Sequence, residues 1–409
     1  MTSSRTQRAR RRWALNLSTR AWVVAGLLAC PTFAAYAATA PRKEGEFNTG
    51  APTAILIDAD SGTVLFERNA DELVPPASLS KLMTAEIVFD EITQGRLKLD
   101  DEFLVSTNAW RTGGAPSRTS SMFAPINSRV KVEDLLRGVI IQSGNDACIA
   151  LAEGIAGSED KFAAMMTARA RKIGLTKTTF GNSTGLPHPR QLMTARELAR
   201  LARHIIQTYP ELYKIYGERE FTFNKIRQFN RNPLLALNIG VDGLKTGFTK
   251  ESGYGLVASA VQNDLRLIVV VLGLKSEKER ADEARRLLEW GFNNFHANVL
   301  FPSGEVIADA KVYGSGTVPL VAPHDVKLMV QRGVRERITA RAVYTGPVRP
   351  PVKKGQRIGM LKVWRGDTMA LEVPLQAAEP VEQGALPRRA LDAVTELVYG
   401  LFRAGIQRL

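Results

Sequence analysis

A serine three residues ahead of a lysine, in Ser78-Leu79-Ser80-Lys81, is the first place in this chain where two side chains can share a proton. Pro75 and Pro76 close a turn before it, and Ser78 stands where a helix would open. At positions i and i+3 the two side chains lie on one helical face. A hydroxyl is a weak nucleophile until a base takes its proton. A lysine is such a base only when burial or neighbouring cations hold it neutral. The positive end of a helix dipole favours an alkoxide or oxyanion nearby. Taken alone, the pair also reads as an N-cap serine beside a solvated lysine.

Two further stretches carry polar side chains on turns of a different kind. Ile140-Ile141-Gln142-Ser143-Gly144-Asn145 runs from apolar chain into a turn and then a helix. Ser143 could relay a proton there, and Asn145 could hydrogen-bond an amide carbonyl; ordinary helix capping is the other reading. Val241-Asp242-Gly243-Leu244-Lys245-Thr246-Gly247-Phe248-Thr249 lies just before a strand at Tyr254–Ala260. Lys245 offers a charge, Thr246 a hydroxyl, and Gly247 room for a ligand to approach the backbone. Alone it reads as a glycine-punctuated turn with a surface lysine.

The elements that must position these residues follow from periodicity. Thr53–Ile57 and Thr63–Phe66, flanking Asp58-Ala59-Asp60-Ser61-Gly62, predict a β-hairpin. Helical patterns follow at 78–93, 132–140, 145–156, 159–173 and 194–207. Strands return at 253–261 and 265–273, and a helix is expected over 277–295. Strands at both ends with helices between them predict an α/β (α+β) domain whose sheet is closed by returning chain. From Val299 to Gln376 short alternating runs such as Ile338–Tyr344 are punctuated by glycine and proline, which predicts a small all-β domain.

Together, S-x-x-K, S-x-N and K-T-G in this order are a set, not three accidents. With Phe221–Gln228 and Asn230-Arg231-Asn232 upstream of the third motif, the chain resembles the serine D-alanyl-D-alanine carboxypeptidases among the low-molecular-mass penicillin-binding proteins. The resemblance covers residues 50–295 closely and the remainder loosely. It implies a penicillin-recognising, transpeptidase-like catalytic domain at 51–297, with a central antiparallel sheet and a helical subdomain. An all-β domain at 298–385 and an amphipathic helix at 386–409 would follow. It implies that Ser78 is acylated, that Lys81 is its general base, and that Ser143 shuttles the proton to the leaving D-alanine. Asn145 would position the substrate amide, Lys245 would hold Ser143 and the substrate, and Thr246 would contact the terminal carboxylate. The N–H groups of Ser78 and Phe248, the latter after Gly247, would form the oxyanion hole. Arg280, in Ser276-Glu277-Lys278-Glu279-Arg280, matches an arginine that steers the carboxylate, although a solvated arginine in a charged run reads the same way.

The implied partners are peptidoglycan stem peptides and β-lactam antibiotics, with no metal and no cofactor. The rival readings are a D,D-endopeptidase, a β-lactamase and a non-catalytic penicillin-binding wall protein. Class A β-lactamases add a glutamate that drives deacylation. The stretch from Gly181 to Glu197 has no Glu-x-x-Leu-Asn pattern, so a penicilloyl ester on Ser78 should persist. His188 in that stretch reads as a surface residue, because no acid–base role is vacant.

Composition limits the alternatives. The net charge is +14, which invites a nucleic-acid reading. Six arginines of that excess, with no acid, fall within residues 1–37, leaving +8 for the rest. Those residues read as a signal peptide: an arginine-rich start, the apolar run Ala21–Ala29, and Ala35-Tyr36-Ala37 as a cleavage pattern. A retained anchor and a lipoprotein signal acylated at Cys30 are the alternatives. Residues 38–50 read as a linker. Export and the lack of an aromatic-basic platform argue against nucleic acid. Two cysteines, Cys30 and Cys148, exclude a disulfide scaffold, and removal of the signal would leave Cys148 without an intramolecular partner.

The tail adds a location. Leu391, Val394, Leu397, Val398, Leu401, Phe402 and Leu409 share one helical face, with Arg388, Arg389, Arg403 and Arg408 available to anionic headgroups. The expected site is the periplasmic face of the inner membrane, held peripherally. The same periodicity would also serve a helix packed on its own β domain. Burial contributes roughly 1.5–3 kcal/mol per large apolar side chain at most, less the ordering of the helix. Deleting 388–409 should therefore release the mature protein from membranes and leave hydrolysis of small peptides intact. Identical membrane fractionation of the two forms would assign the helix to the β domain instead.

Overall fold

The structure is a computed structural model that describes residues 47–334 and 337–385. The expected signal peptide, most of the linker and the tail helix lie outside the described residues.

The chain enters through the expected hairpin, β1 (Thr53–Asp58) and β2 (Val64–Arg68). The Asp58 carboxylate accepts from Ser61 N–H at 2.8 Å and fixes the turn between them. A 3₁₀ turn, Ala77–Ser80, leads straight into α1 (Lys81–Thr93). A short ribbon of β3 (Glu102–Leu104) and β4 (Arg129–Lys131) precedes α2 (Val132–Arg137), which widens into a π-helical turn over Gly138–Gln142. Next come α3 (Asn145–Ala156), α4 (Glu159–Lys172), α5 (Ala195–Thr208) and the single turn α6 (Pro210–Tyr213). Ser158 accepts from Lys161 N–H at the start of α4, and Thr194 accepts from Glu197 N–H at the start of α5. A hairpin of β5 (Glu220–Phe223) and β6 (Ile226–Phe229) then leads to β7 (Val241–Thr249), β8 (Gly253–Gln262), β9 (Leu265–Leu274) and α7 (Glu277–Asn294).

The main sheet is antiparallel with the order β2-β1-β9-β8-β7. The first and last parts of the domain thus meet at the β1–β9 pairing, as the strand-helix-strand pattern predicts. One face, with Ile55, Val257, Ile268 and Val270, packs on the helical subdomain through Leu82, Phe89 and Leu198. The other face, with Leu56, Leu256, Ala258 and Val269, packs on α7 through Ala284, Leu287 and Leu288. Alternate residues of β8 and β9 serve the two cores, so both strands read as unbroken apolar runs. A Cβ on Gly291 would lie 2.6 Å from Leu56, so α7 sits against the sheet with no room for a side chain there.

One expectation is corrected here. The Lys245-Thr246-Gly247 stretch is not a turn ahead of a strand; it is itself the edge strand β7, paired with β8 from Val241↔Ala260 to Thr249↔Gly253. Its glycines and charges hide the strand pattern from a periodicity reading. Gly247 also has a packing reason. A Cβ there would stand 3.0 Å from Pro76 O and from Leu79 Cγ, so the glycine admits the Ser78 turn.

After α7 the chain turns wholly to strands: β10 (Phe295–Phe301), β11 (Val306–Val312), β12 (Gly316–Val321), β13 (Val326–Gln331), β14 (Ile338–Tyr344), β15 (Arg357–Arg365) and β16 (Thr368–Ala377). β10 pairs with β13, and a five-stranded sheet runs β11-β12-β16-β15-β14. They enclose a separate core that includes Val312, Leu320, Leu328, Val363 and Leu375.

Substituting Gly247→Ala should force β7 away from the Ser78 turn, at about 1–3 kcal/mol for an overpacked contact. A melting curve should show Tm lowered by several degrees, with acylation slowed more than the stability change accounts for. An unchanged Tm and rate would mean that the strand and turn can separate freely.

Candidate active site

Ser78 sits in the tight turn that follows Pro76, and the residue before it, Ala77, has φ +50°. That left-handed conformation is costly for a residue with a Cβ, and it is held by packing on both sides. Gly185 presses against it: a Cβ there would lie 2.0 Å from Ala77 O. Lys81 opens α1 with its side chain almost wholly buried. Its Nζ donates to Ser78 Oγ at 3.0 Å, to Asn145 Oδ1 at 2.7 Å and to the Thr184 carbonyl. All three ammonium hydrogens therefore have acceptors, one of which is the Ser78 hydroxyl. Burial pushes the Lys81 pKa down to about 8, and the Arg231 charge adds to that. Asp146, Glu159 and Cys148 oppose it. A lysine so placed is neutral in an appreciable fraction of molecules near neutral pH, which a general base requires.

The second motif arrives from the end of the widened turn. Ser143 is buried, adopts φ +63° and caps that turn, and Asn145 begins α3. Asn145 is held from both ends of its amide. Its Oδ1 accepts from Lys81, and its Nδ2 donates to Thr119 Oγ1 at 2.9 Å. One Nδ2 hydrogen is left for an incoming carbonyl.

The third motif supplies the opposite wall. Lys245 is buried, and its Nζ donates to its neighbour's carbonyl, Thr246 O, at 3.1 Å. The expected hold on Ser143 is not among the hydrogen bonds of the structure. Burial holds the Lys245 pKa well below the usual lysine range, and the charges of Lys81 and Arg231 lower it further. A substrate carboxylate entering here would supply the missing counter-charge. Thr246 is also buried. Thr249 N–H is taken by Ser252 Oγ at 3.1 Å inside the β7–β8 turn. Strand alternation then turns the Phe248 N–H to the open edge of the sheet, toward the Ser78 turn. The Phe248 ring itself points away and stacks on Tyr254, with centroids 4.2 Å apart.

Arg280 lies in the first turn of α7 and is buried, not solvated as the charged run alone allows. Its guanidinium is 5.6 Å from the Tyr254 ring centre, and its Nε has no hydrogen-bond partner among the described residues. Burial lowers its pKa. Two contributors escaped the motif reading. Arg231 donates from Nη1 to Ser120 Oγ at 2.7 Å and depresses both lysines. The loop after Gly181 provides the Thr184 carbonyl, and it is shaped by Asn182 Oδ1, which accepts from Gly185 N–H at 2.7 Å. Both lie in stretches noticed in the sequence, but nothing in residue type marks a backbone carbonyl as a lysine's acceptor. His188 has a loop role: its Nδ1 accepts from Arg190 N–H at 3.1 Å and its ring packs on Gly181. Among the described residues no group of His, Cys, Asp and Glu could hold a metal ion.

Residues 37–276 match the D-alanyl-D-alanine carboxypeptidase family, and residues 295–383 match the C-terminal domain of penicillin-binding protein 5. The chain is 44% identical over 345 residues to D-alanyl-D-alanine carboxypeptidase DacC of Escherichia coli strain K12, covering 83% of this chain and 86% of that one. It is similar in structure to penicillin-binding protein 5 from Haemophilus influenzae, with TM-score 0.74 and 38% identity over 83% of this chain and 99% of the other. It is also similar to penicillin-binding protein D2 from Listeria monocytogenes in an ampicillin-bound form, with TM-score 0.54 and 31% identity over 60% and 99% of the chains.

If neutral Lys81 is the base, acylation by a penicillin should rise with pH through a midpoint near its pKa of about 8. Protonation removes the base below that value, so the rate should increase about tenfold from pH 7 to pH 9. Stopped-flow acylation across that range tests it, and a flat profile would move the proton to another group.

Proposed function

The chain belongs to the D-alanyl-D-alanine carboxypeptidase family and is a serine-type peptidase of the bacterial cell wall, and on that premise we propose how its own residues divide the reaction. The observation that carries the assignment is the buried Lys81 Nζ, 3.0 Å from Ser78 Oγ, with its pKa lowered to about 8. Neutral Lys81 takes the Ser78 proton as Oγ attacks the carbonyl of the penultimate D-alanine. The new oxyanion faces the N–H groups of Ser78 and Phe248. Asn145 Nδ2 holds the amide upstream. Ser143 relays that proton: its hydroxyl gives its hydrogen to the nitrogen of the terminal D-alanine as the C–N bond breaks and takes the one held on Lys81, which is then neutral again. Water then hydrolyses the Ser78 ester, and the proton it gives up restores the hydroxyl.

The terminal carboxylate is the natural counter-ion for this cleft. Lys245, Arg231 and Arg280 are cations whose pKa values burial depresses, and an anion between them relieves that penalty. Thr246 adds a hydroxyl at the same wall.

β-Lactams acylate the same serine. The lifetime of the resulting ester depends on a deacylating base. Glu197, which closes the stretch without the β-lactamase pattern, is occupied: it accepts from Lys177 N–H at 2.9 Å and Thr178 N–H at 2.7 Å. Glu159 accepts from Ser183 Oγ at 2.8 Å. Both carboxylates are engaged in bracing loops, which supports slow turnover of a penicilloyl ester. We further propose export by the first 37 residues and peripheral anchoring by the tail at the outer face of the inner membrane.

Ser78→Ala should abolish both D-alanine release and covalent labelling by penicillin while leaving the melting curve near that of the parent, since one hydroxyl is lost. Mass spectrometry of the adduct reads this directly, and labelling that survives the change would place the nucleophile elsewhere. Arg280→Ala should weaken hydrolysis of peptides with a free carboxylate more than acylation by penicillin, whose strained ring brings its own reactivity. Equal losses in both assays would make Arg280 a structural residue.

A further inference from the structure

The residue after Asn145 is a carboxylate to which the mechanism gives no task. Asp146 lies in the first turn of α3 with no solvent exposure. Its Oδ1 accepts from Met122 N–H at 2.9 Å and Ala147 N–H at 3.0 Å. Its Oδ2 accepts from Ser121 Oγ at 2.7 Å and Ala124 N–H at 3.1 Å. Among the described residues no cation forms an ion pair with it, so four donors take the place of its lost hydration. Three of the four belong to residues 121–124, far away in sequence.

The surroundings are shaped for this clamp. A Cβ on Gly144 would lie 2.9 Å from both Asp146 Oδ1 and Met122 N, and one on Gly138 would lie 2.5 Å from Met122 Sδ. Phe123 is held at φ +64°, a conformation that a bulky residue keeps only when its surroundings impose it. The clamped segment continues backward into the cleft. Ser120 O accepts from Asn145 N–H at 2.7 Å, Thr119 Oγ1 accepts from Asn145 Nδ2, and Ser120 Oγ accepts from Arg231.

We propose that Asp146 is the positioning residue of the substrate-amide site. By locking residues 119–124 onto α3 it fixes Thr119, which in turn fixes the plane of the Asn145 amide. Asn145 can then keep Oδ1 on Lys81 and present its remaining Nδ2 hydrogen to an amide carbonyl. The inference rests on the roles proposed above for Asn145 and Lys81, and Asp146 acts only through them.

The test uses three acylating agents on the mature enzyme. Two carry an amide carbonyl for Asn145: a D-Ala-D-Ala peptide and benzylpenicillin. The third, 6-aminopenicillanic acid, lacks that carbonyl. Asp146→Asn keeps the shape but turns two N–H donors toward other N–H donors. It should slow acylation by the first two by about 30-fold or more and by the third less than about fivefold. A purely structural role reduces the folded fraction and so lowers all three rates alike, and that result would overturn the proposal. Thr119→Ala, at an exposed position, guards against a misfolded Asp146 variant. It should show the same selective loss, and the double variant should lose no more than Asp146→Asn alone. Multiplying losses would mean that Asp146 does not act through Thr119. Failure of the nucleophile assignment is read separately, from where the penicillin adduct maps in the parent enzyme.

Discussion

An ammonium group removed from water is costly unless every hydrogen meets an acceptor, and even then burial favours losing the proton. The catalytic half of this molecule is organised around that condition at Lys81. Its three acceptors come from three parts of the chain: the turn before α1, the start of α3, and the loop after Gly181. Each is held by further contacts. Thr84 Oγ1 donates to Ser183 O at 2.7 Å, Glu159 accepts from Ser183, and Asp146 fastens the segment beside Asn145. A buried lysine with a lowered pKa is thus the joint consequence of helical packing and loop structure. It is not a property of the S-x-x-K spacing, which only puts the two side chains on one face.

The same economy of space explains the glycines around the site. Gly185 and Gly247 let the Ser78 turn be gripped from two sides, by the 182–186 loop and by β7. The grip imposes left-handed backbone on Ala77, just as the widened turn imposes it on Ser143. The Ser78 and Ser143 hydroxyls therefore sit at or beside backbone that would relax if the packing loosened. β7 can do its part because it is the edge of the sheet. A central strand would have committed its Phe248 N–H to a neighbour and left no donor for an oxyanion. The apolar strands β8 and β9, buried between two cores, keep that edge in place.

The cleft is also defined by charges set against one another. Lys81 and Lys245 are both pushed below the ordinary lysine range, and Arg231 bears on each. Such a site favours an anion and a proton-poor base together, which suits a substrate ending in a free carboxylate. The carboxylates nearby are tied into the scaffold by hydrogen bonds, Glu159 to Ser183, Glu197 to Thr178 and Asp146 to the 121–124 segment.

The sequence by itself determined the elements and the chemistry. Period-2 and period-3.6 patterns located β1, β2, β8, β9, β14 and the helices α1, α3, α4, α5 and α7, because each buries one face or both over several residues. Motif order was enough to nominate Ser78, Lys81, Ser143, Asn145 and Lys245, since their side chains carry the groups that acyl transfer needs. Tertiary structure decided what periodicity and residue type cannot express. It made the glycine-rich Lys245 stretch an edge strand, buried Arg280 where the charged run left burial and exposure open, and set Gly247 against the Ser78 turn. It brought in Arg231, Thr184 O and Asp146, whose parts depend on neighbours far away in the chain. A side chain's chemistry is local and can be read along the sequence. Burial, counter-charge and the free edge of a sheet belong to the packed molecule, and they give a common pair of residues the surroundings that the proposed nucleophile and its base require.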